Sequence, residues 1–127
     1  MTLTEAKHNN LIIFNNWKVC GSSEACNELN NSNRELIRAY AEEFPAAMGI
    51  LINPNTDEEK RKGGIFKITE TENLYNFCCN YIFNGTAENF EIVKATAEKW
   101  RNGGKIDDLN KLDAALEAAD GVCIIWS

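Results

Sequence analysis

The longest uninterrupted apolar run in this chain is five residues, Val122-Cys-Ile-Ile-Trp126. A helix that crosses a bilayer needs roughly 20 such residues, so no membrane span is expected and any core has to be pieced together from short segments. The material suffices for one. The 127 residues, 44% hydrophobic and 25% charged, match a single globular domain over 1–127. Its first ~8 residues, lying at a chain end, are expected to fray.

Turn and cap residues divide the short segments into elements. Leu11-Ile-Ile-Phe14 and Trp17-Lys-Val-Cys20 flank Asn15-Asn16 and read as an N-terminal hairpin, because asparagine tolerates the positive φ of tight turns. Ser22 or Ser23 caps a short helix. Ser32-Asn-Arg-Glu35 forms a capping box for a second, whose Leu36, Ile37, Tyr40, Ala41 and Phe44 recur at helical spacing until Pro45 stops it. Met48–Ile52 and Gly64–Thr69 read as a central hairpin around a long loop. Three helices are expected next: from Thr69 or Thr71 to Asn84-Gly85, from Thr86 to Asn102-Gly103-Gly104, and from Ile106 to Ala119 with Gly121 beyond it. Val122–Trp126 closes the chain as a strand within the sheet. The fold class expected is α+β, with a small sheet (N-terminal hairpin, central hairpin, C-terminal strand) against about four helices that cover one of its faces.

Five cysteines, an odd number with three inside apolar runs, do not make a disulfide framework, and all five are read as reduced thiols. The opening Met-Thr-Leu-Thr-Glu-Ala-Lys-His has neither the basic start nor the apolar stretch of a secretory signal, so a cytoplasmic location is expected. Cys78 and Cys79 stand side by side in Leu-Tyr-Asn-Phe-Cys-Cys-Asn-Tyr-Ile-Phe, residues 74–83. On a helix Leu74, Phe77, Cys78, Tyr81 and Ile82 share one face, which makes Cys78 a core residue and puts Cys79 on its flank. Packing rather than chemistry is the expected role of both.

No catalytic, metal or cofactor site is assigned. His8 is the single histidine, too little for a zinc site or a Cys-His nucleophile pair. The oxygen-rich stretches Asn-Pro-Asn-Thr-Asp-Glu-Glu and Asp-Asp-Leu-Asn-Lys-Leu-Asp fail as calcium loops: the first has Glu58 where glycine is needed, the second Leu112 at a ligand position. Arg61-Lys-Gly-Gly64 leads into a strand, so no helix N-terminus is there to receive a phosphate.

The charge pattern is more informative. A net charge of −6 argues against direct nucleic-acid binding and against an anionic membrane surface, and favours a partner protein with a basic surface. Asp113, Glu117 and Asp120 follow one another at i, i+4 and i+7 beside the apolar Leu109, Leu112 and Leu116, forming a carboxylate row on the last helix. A second candidate surface is the Asn53–Gly64 loop, where Asp57, Glu58 and Glu59 give way to Lys60, Arg61 and Lys62. The chain is therefore read as a small acidic binding protein, an inhibitor or regulator that occludes a basic, nucleic-acid-binding type of site on its partner. A phage anti-defence or toxin-immunity protein would be of this kind. The alternative is a small-ligand domain or enzyme whose site is assembled from scattered residues such as Tyr75, Tyr81 and Trp100.

Overall fold

The computed structural model describes residues 1–51, 65–68 and 79–127. Helix α1 (Leu3–Cys20) occupies the place of the expected N-terminal hairpin. The Thr2 hydroxyl accepts from the Glu5 amide at 3.1 Å and donates to its carboxylate at 3.0 Å, satisfying the first turn. Gly21, at φ 59°, closes the helix with its amide on the Trp17 carbonyl. The hairpin loses because Leu3, Ala6, Ile13, Phe14 and Trp17 form a stripe at helical spacing that turns inward, while Asn15 and Asn16 lie exposed on the outward side. Leu3 and Ala6, within the stretch expected to fray, are buried.

Helix α2 (Ser23–Glu43) is continuous where two helices were expected. Its cap is Ser22, whose hydroxyl accepts from the Ala25 amide. Ser32 caps nothing: it is buried mid-helix and accepts from the Asn10 side chain at 3.0 Å. The helix ends at Phe44, just before Pro45, as expected.

Four strands form an antiparallel sheet in the order β2-β1-β3-β4. β1 (Ala47–Leu51) and β2 (Ile65–Lys67) pair antiparallel, matching the central hairpin. β3 (Cys79–Asn84) lies where a helix was expected. Its backbone pairs with β1 on one side and with β4 (Val122–Ile125) on the other. Asn80 and Ile82 then face one side of the sheet and Phe83 the other, all buried. A strand covered on both faces has no alternating pattern to betray it. Residues 74–78 of the expected helix lie outside the described residues, as does its start at Thr69 or Thr71.

Helix α3 (Ala87–Gly103) starts at Thr86 and ends at Gly104, and α4 (Ile106–Ala118) follows. Asp120, not Gly121, takes the left-handed position after α4, at φ 59°. Its amide bonds the Glu117 carbonyl and the Gly121 amide bonds that of Leu116 at 2.7 Å, a Schellman closure. Gly121 is required there, since a Cβ would stand 2.5 Å from the Leu116 carbonyl oxygen.

The fold is α+β, but helices cover both faces of the sheet rather than one. Leu36, Ile37 and Tyr40 of α2 meet Ile82, Ile124 and Trp126 on one face. Val93 and Ala97 of α3 and Leu112 and Leu116 of α4 meet Ile50 and Phe83 on the other. β1, β2 and β3 contribute residues to both cores, whereas β4 gives Val122 and Ile124 to the first alone. No described helix is long and apolar enough to cross a membrane.

Candidate functional site

Edge strand β4 gathers the chemically distinctive groups. Tyr81 of β3 is the register partner of Cys123, and Cys79 is that of Ile125, so Cys79 and Cys123 are diagonal neighbours on the sheet face turned towards α4. Their sulfurs stand 3.5 Å apart. Cys79 is half-buried and Cys123 exposed; both are free thiols, as are Cys20 and Cys26. Cys78 lies outside the described residues. The flank-of-a-helix position expected for Cys79 is thus replaced by a cross-strand contact with a cysteine 44 residues away.

The two thiols titrate as a pair. A hydrogen bond from Cys123 lowers the pKa of Cys79, against the opposing effects of burial and of Asp113. The same bond, followed by burial and by the Cys79 and Asp113 charges, raises that of Cys123. One negative charge is readily shared across the S–H···S contact; a second is resisted. Tyr81 beside them is pushed up to about 12, first by burial and then by the surrounding Cys123, Asp113, Cys79 and Glu117 charges.

The expected carboxylate row is therefore aimed at this patch, but it is shorter than the sequence suggests. Asp113 and Glu117 sit exposed one turn apart on α4. Asp120 has left the helix for its Schellman turn, and its backbone carbonyl accepts from the Tyr40 hydroxyl at 2.9 Å. Among the described residues no ion pair neutralises Asp113, Glu117 or Asp120. The described ion pair of α4, Lys99 to Asp108 at 3.9 Å, lies at its opposite end. The remaining expected site residues, Asp57, Glu58, Glu59, Lys60, Arg61 and Lys62, lie outside the described residues, as does Tyr75. Tyr81 and Trp100 are half-buried against the α3/α4 core.

On the other side of β4, a cavity of about 340 Å³ opens between α1, α2 and the strand edge. Leu11, Phe14, Leu29 and Leu36 give it apolar walls, and Cys123 and Ile125 border it. Lys7 also lines it, and its two asparagines, Asn10 and Asn33, are already engaged. Asn33, almost fully buried, donates to the Ile125 carbonyl at 2.8 Å and accepts from Asn10 at 2.9 Å. Nearby, Asn80 accepts from the Trp126 indole at 3.1 Å, while its own buried NH2 has no partner among the described residues.

The Asp113 and Glu117 row was legible in the sequence as helical spacing. The thiol pair was not, because nothing in a linear reading says that β3 and β4 are neighbours. No family model, curated protein or solved structure matches the chain.

Proposed function

We propose that this protein is a small acidic binding protein, an inhibitor or regulator whose α4 side occupies a basic surface on a partner protein. The observation that carries this reading is the pair of exposed carboxylates, Asp113 and Glu117, with no described cation to neutralise them in a chain of net charge −6. Exposed charges of one sign steer a partner of the opposite sign and set the association rate more than the final affinity. A partner surface built for nucleic-acid phosphates would supply that complement, which suits a phage anti-defence or toxin-immunity protein.

The test is capture of the partner from the source cell on immobilised protein, followed by binding kinetics with the Asp113→Lys/Glu117→Lys double variant. Association should slow markedly in the variant, and wild-type association should slow as salt rises, because exposed charges are screened beyond roughly 8–10 Å at ordinary ionic strength. Equal association rates for the two folded proteins would remove the acidic side from consideration.

A second reading, a small-ligand domain, is favoured by the cavity beside β4, since about 340 Å³ falls within the range of ligand pockets. With Asn10 and Asn33 already bonded to protein groups and Lys7 the one charged residue of the lining, the ligand would be mainly apolar. Displacement of a bound apolar dye by candidate ligands, blocked by Leu29→Trp, distinguishes this reading from the first.

A further inference from the structure

The geometry points to a second site on the same edge: Cys79 and Cys123 together form a bidentate thiolate site for a thiophilic divalent metal ion of the zinc and cadmium class. The sulfurs, 3.5 Å apart on neighbouring strands, already have nearly the spacing such an ion needs. Two metal–sulfur bonds of about 2.3 Å at a tetrahedral angle hold their sulfurs roughly 3.8 Å apart. A disulfide would draw the same atoms to about 2.05 Å, and it favours Cα separations of roughly 4.4–6.8 Å. Diagonal neighbours on antiparallel strands are typically about 7–8 Å apart. Chelation therefore needs little more than side-chain rotation, whereas the disulfide has to pull the ladder out of register.

Access and charge agree with this. Cys123 is exposed, so a hydrated ion reaches one sulfur directly and closes onto the half-buried Cys79. The unneutralised Asp113 and Glu117 make the field around Tyr81 and the thiols negative, which attracts a cation. Among the described residues no third His, Cys, Asp or Glu side chain joins the two thiols, so the described ligands number two and leave coordination positions that water can take. Binding forms two metal–sulfur bonds, releases the thiol protons to solvent and changes no oxidation state.

Cadmium titration of the reduced, full-length protein without oxygen tests the assignment, followed by the ultraviolet thiolate-to-metal absorption and by competition with zinc against a chromophoric chelator. One ion per chain is expected. Cys123→Ser, at an exposed position that leaves the fold intact, and Cys79→Ser should each lose the absorption band. The affinity loss should be at least the roughly 10–100-fold seen when a supporting group of a metal site is removed. Cys20→Ser, Cys26→Ser and Cys78→Ser should bind as the wild type does. A band that survives in Cys123→Ser, one that depends on Cys20, Cys26 or Cys78 instead, or the absence of any band in the wild type overturns the assignment.

Discussion

On the α1/α2 side of the sheet, polar side chains cross from helix to strand. Asn33 reaches the Ile125 carbonyl, Tyr40 reaches that of Asp120, and Asn30 exchanges hydrogen bonds with the backbone of Ser127. On the α3/α4 side the centre is apolar, with Val93, Ala97, Leu112 and Leu116 against Ile50 and Phe83, and the polar ties sit at the ends: Asn89 on the Asn84 carbonyl and Lys99 on Asp108. The first layer is specified by hydrogen-bond partners and the second by volume. Errors in the two should therefore be felt differently: a lost partner leaves a buried orphan whatever the replacement's shape, whereas a lost volume is forgiven when the replacement fills it.

The largest effect is expected on the apolar side. Phe83 is fully buried, and Phe83→Ala should lower unfolding free energy by about 3–5 kcal/mol, since the transfer loss and the cavity add. That is a large part of the ~5–15 kcal/mol a domain has in hand. Phe83→Leu should lose much less, near the ~1.5 kcal/mol limit for swaps that roughly keep volume. If urea midpoints for the two variants coincide, volume is not what this layer senses.

Asn33→Leu makes the converse test, being close in size but polar-deleting. It removes the donor to Ile125 and the acceptor for Asn10 together, and about 1–3 kcal/mol should be lost through the unpaired groups. A neutral result would mean that water replaces Asn33 and that the asparagine chain is incidental to the layer.

Tyrosine 40 lies lower on the scale. Tyr40→Phe keeps the ring in the core and deletes one neutral hydrogen bond, so about 0.5–1.5 kcal/mol should be lost at neutral pH. The tyrosines also predict an alkaline limit. Burial raises the pKa of Tyr40, and Tyr81 is pushed up to about 12. An unfolded tyrosine ionises near 10. Above that pH the unfolded chain sheds protons that the folded chain keeps, so the tyrosines' contribution to stability is level below about 10 and falls as pH rises towards 12. Urea midpoints measured from pH 9 upward should decline less steeply in Tyr81→Phe than in the wild type. Parallel declines would assign the alkaline limit to other groups.

How much of this was legible in the sequence depends on where the determining contact lies. Elements fixed by local chemistry were readable to within a residue or two: the α2 stop at Pro45, the α3 cap at Thr86 and stop at Gly104, and the start of α4 at Ile106. Elements fixed by tertiary contact were not. Leu11–Phe14 and Trp17–Cys20 have strand-like composition, and what makes a helix of them is the half-buried stripe that Ile13, Phe14 and Trp17 turn inward, with Phe14 beside Leu29 and Leu36 of α2. Tyr81 and Ile82 recur at helical spacing with Leu74 and Phe77, yet β3 is a strand because β1 and β4 flank it. The site divides the same way. Asp113 and Glu117 belong to one helix and could be seen; Cys79 and Cys123 meet only through strand order.

The smallest stability effect should come from the surface that the functional proposal needs. Asp113→Lys with Glu117→Lys changes net charge from −6 to −2, since each reversal adds two. Both side chains are exposed and unpaired with any described cation, so stability should move by no more than ~0.5 kcal/mol. Asp120→Lys behaves differently although it belongs to the same row in the sequence. At φ 59° the residue sits where aspartate is tolerated and lysine less so, and forcing the longer residue there should lose about 1 kcal/mol. Melting the double variant beside Asp120→Lys separates a solvated recognition surface from a helix-closing residue. Should the double variant prove as unstable as Phe83→Ala, Asp113 and Glu117 are structural, and a slowed association could no longer be credited to charge.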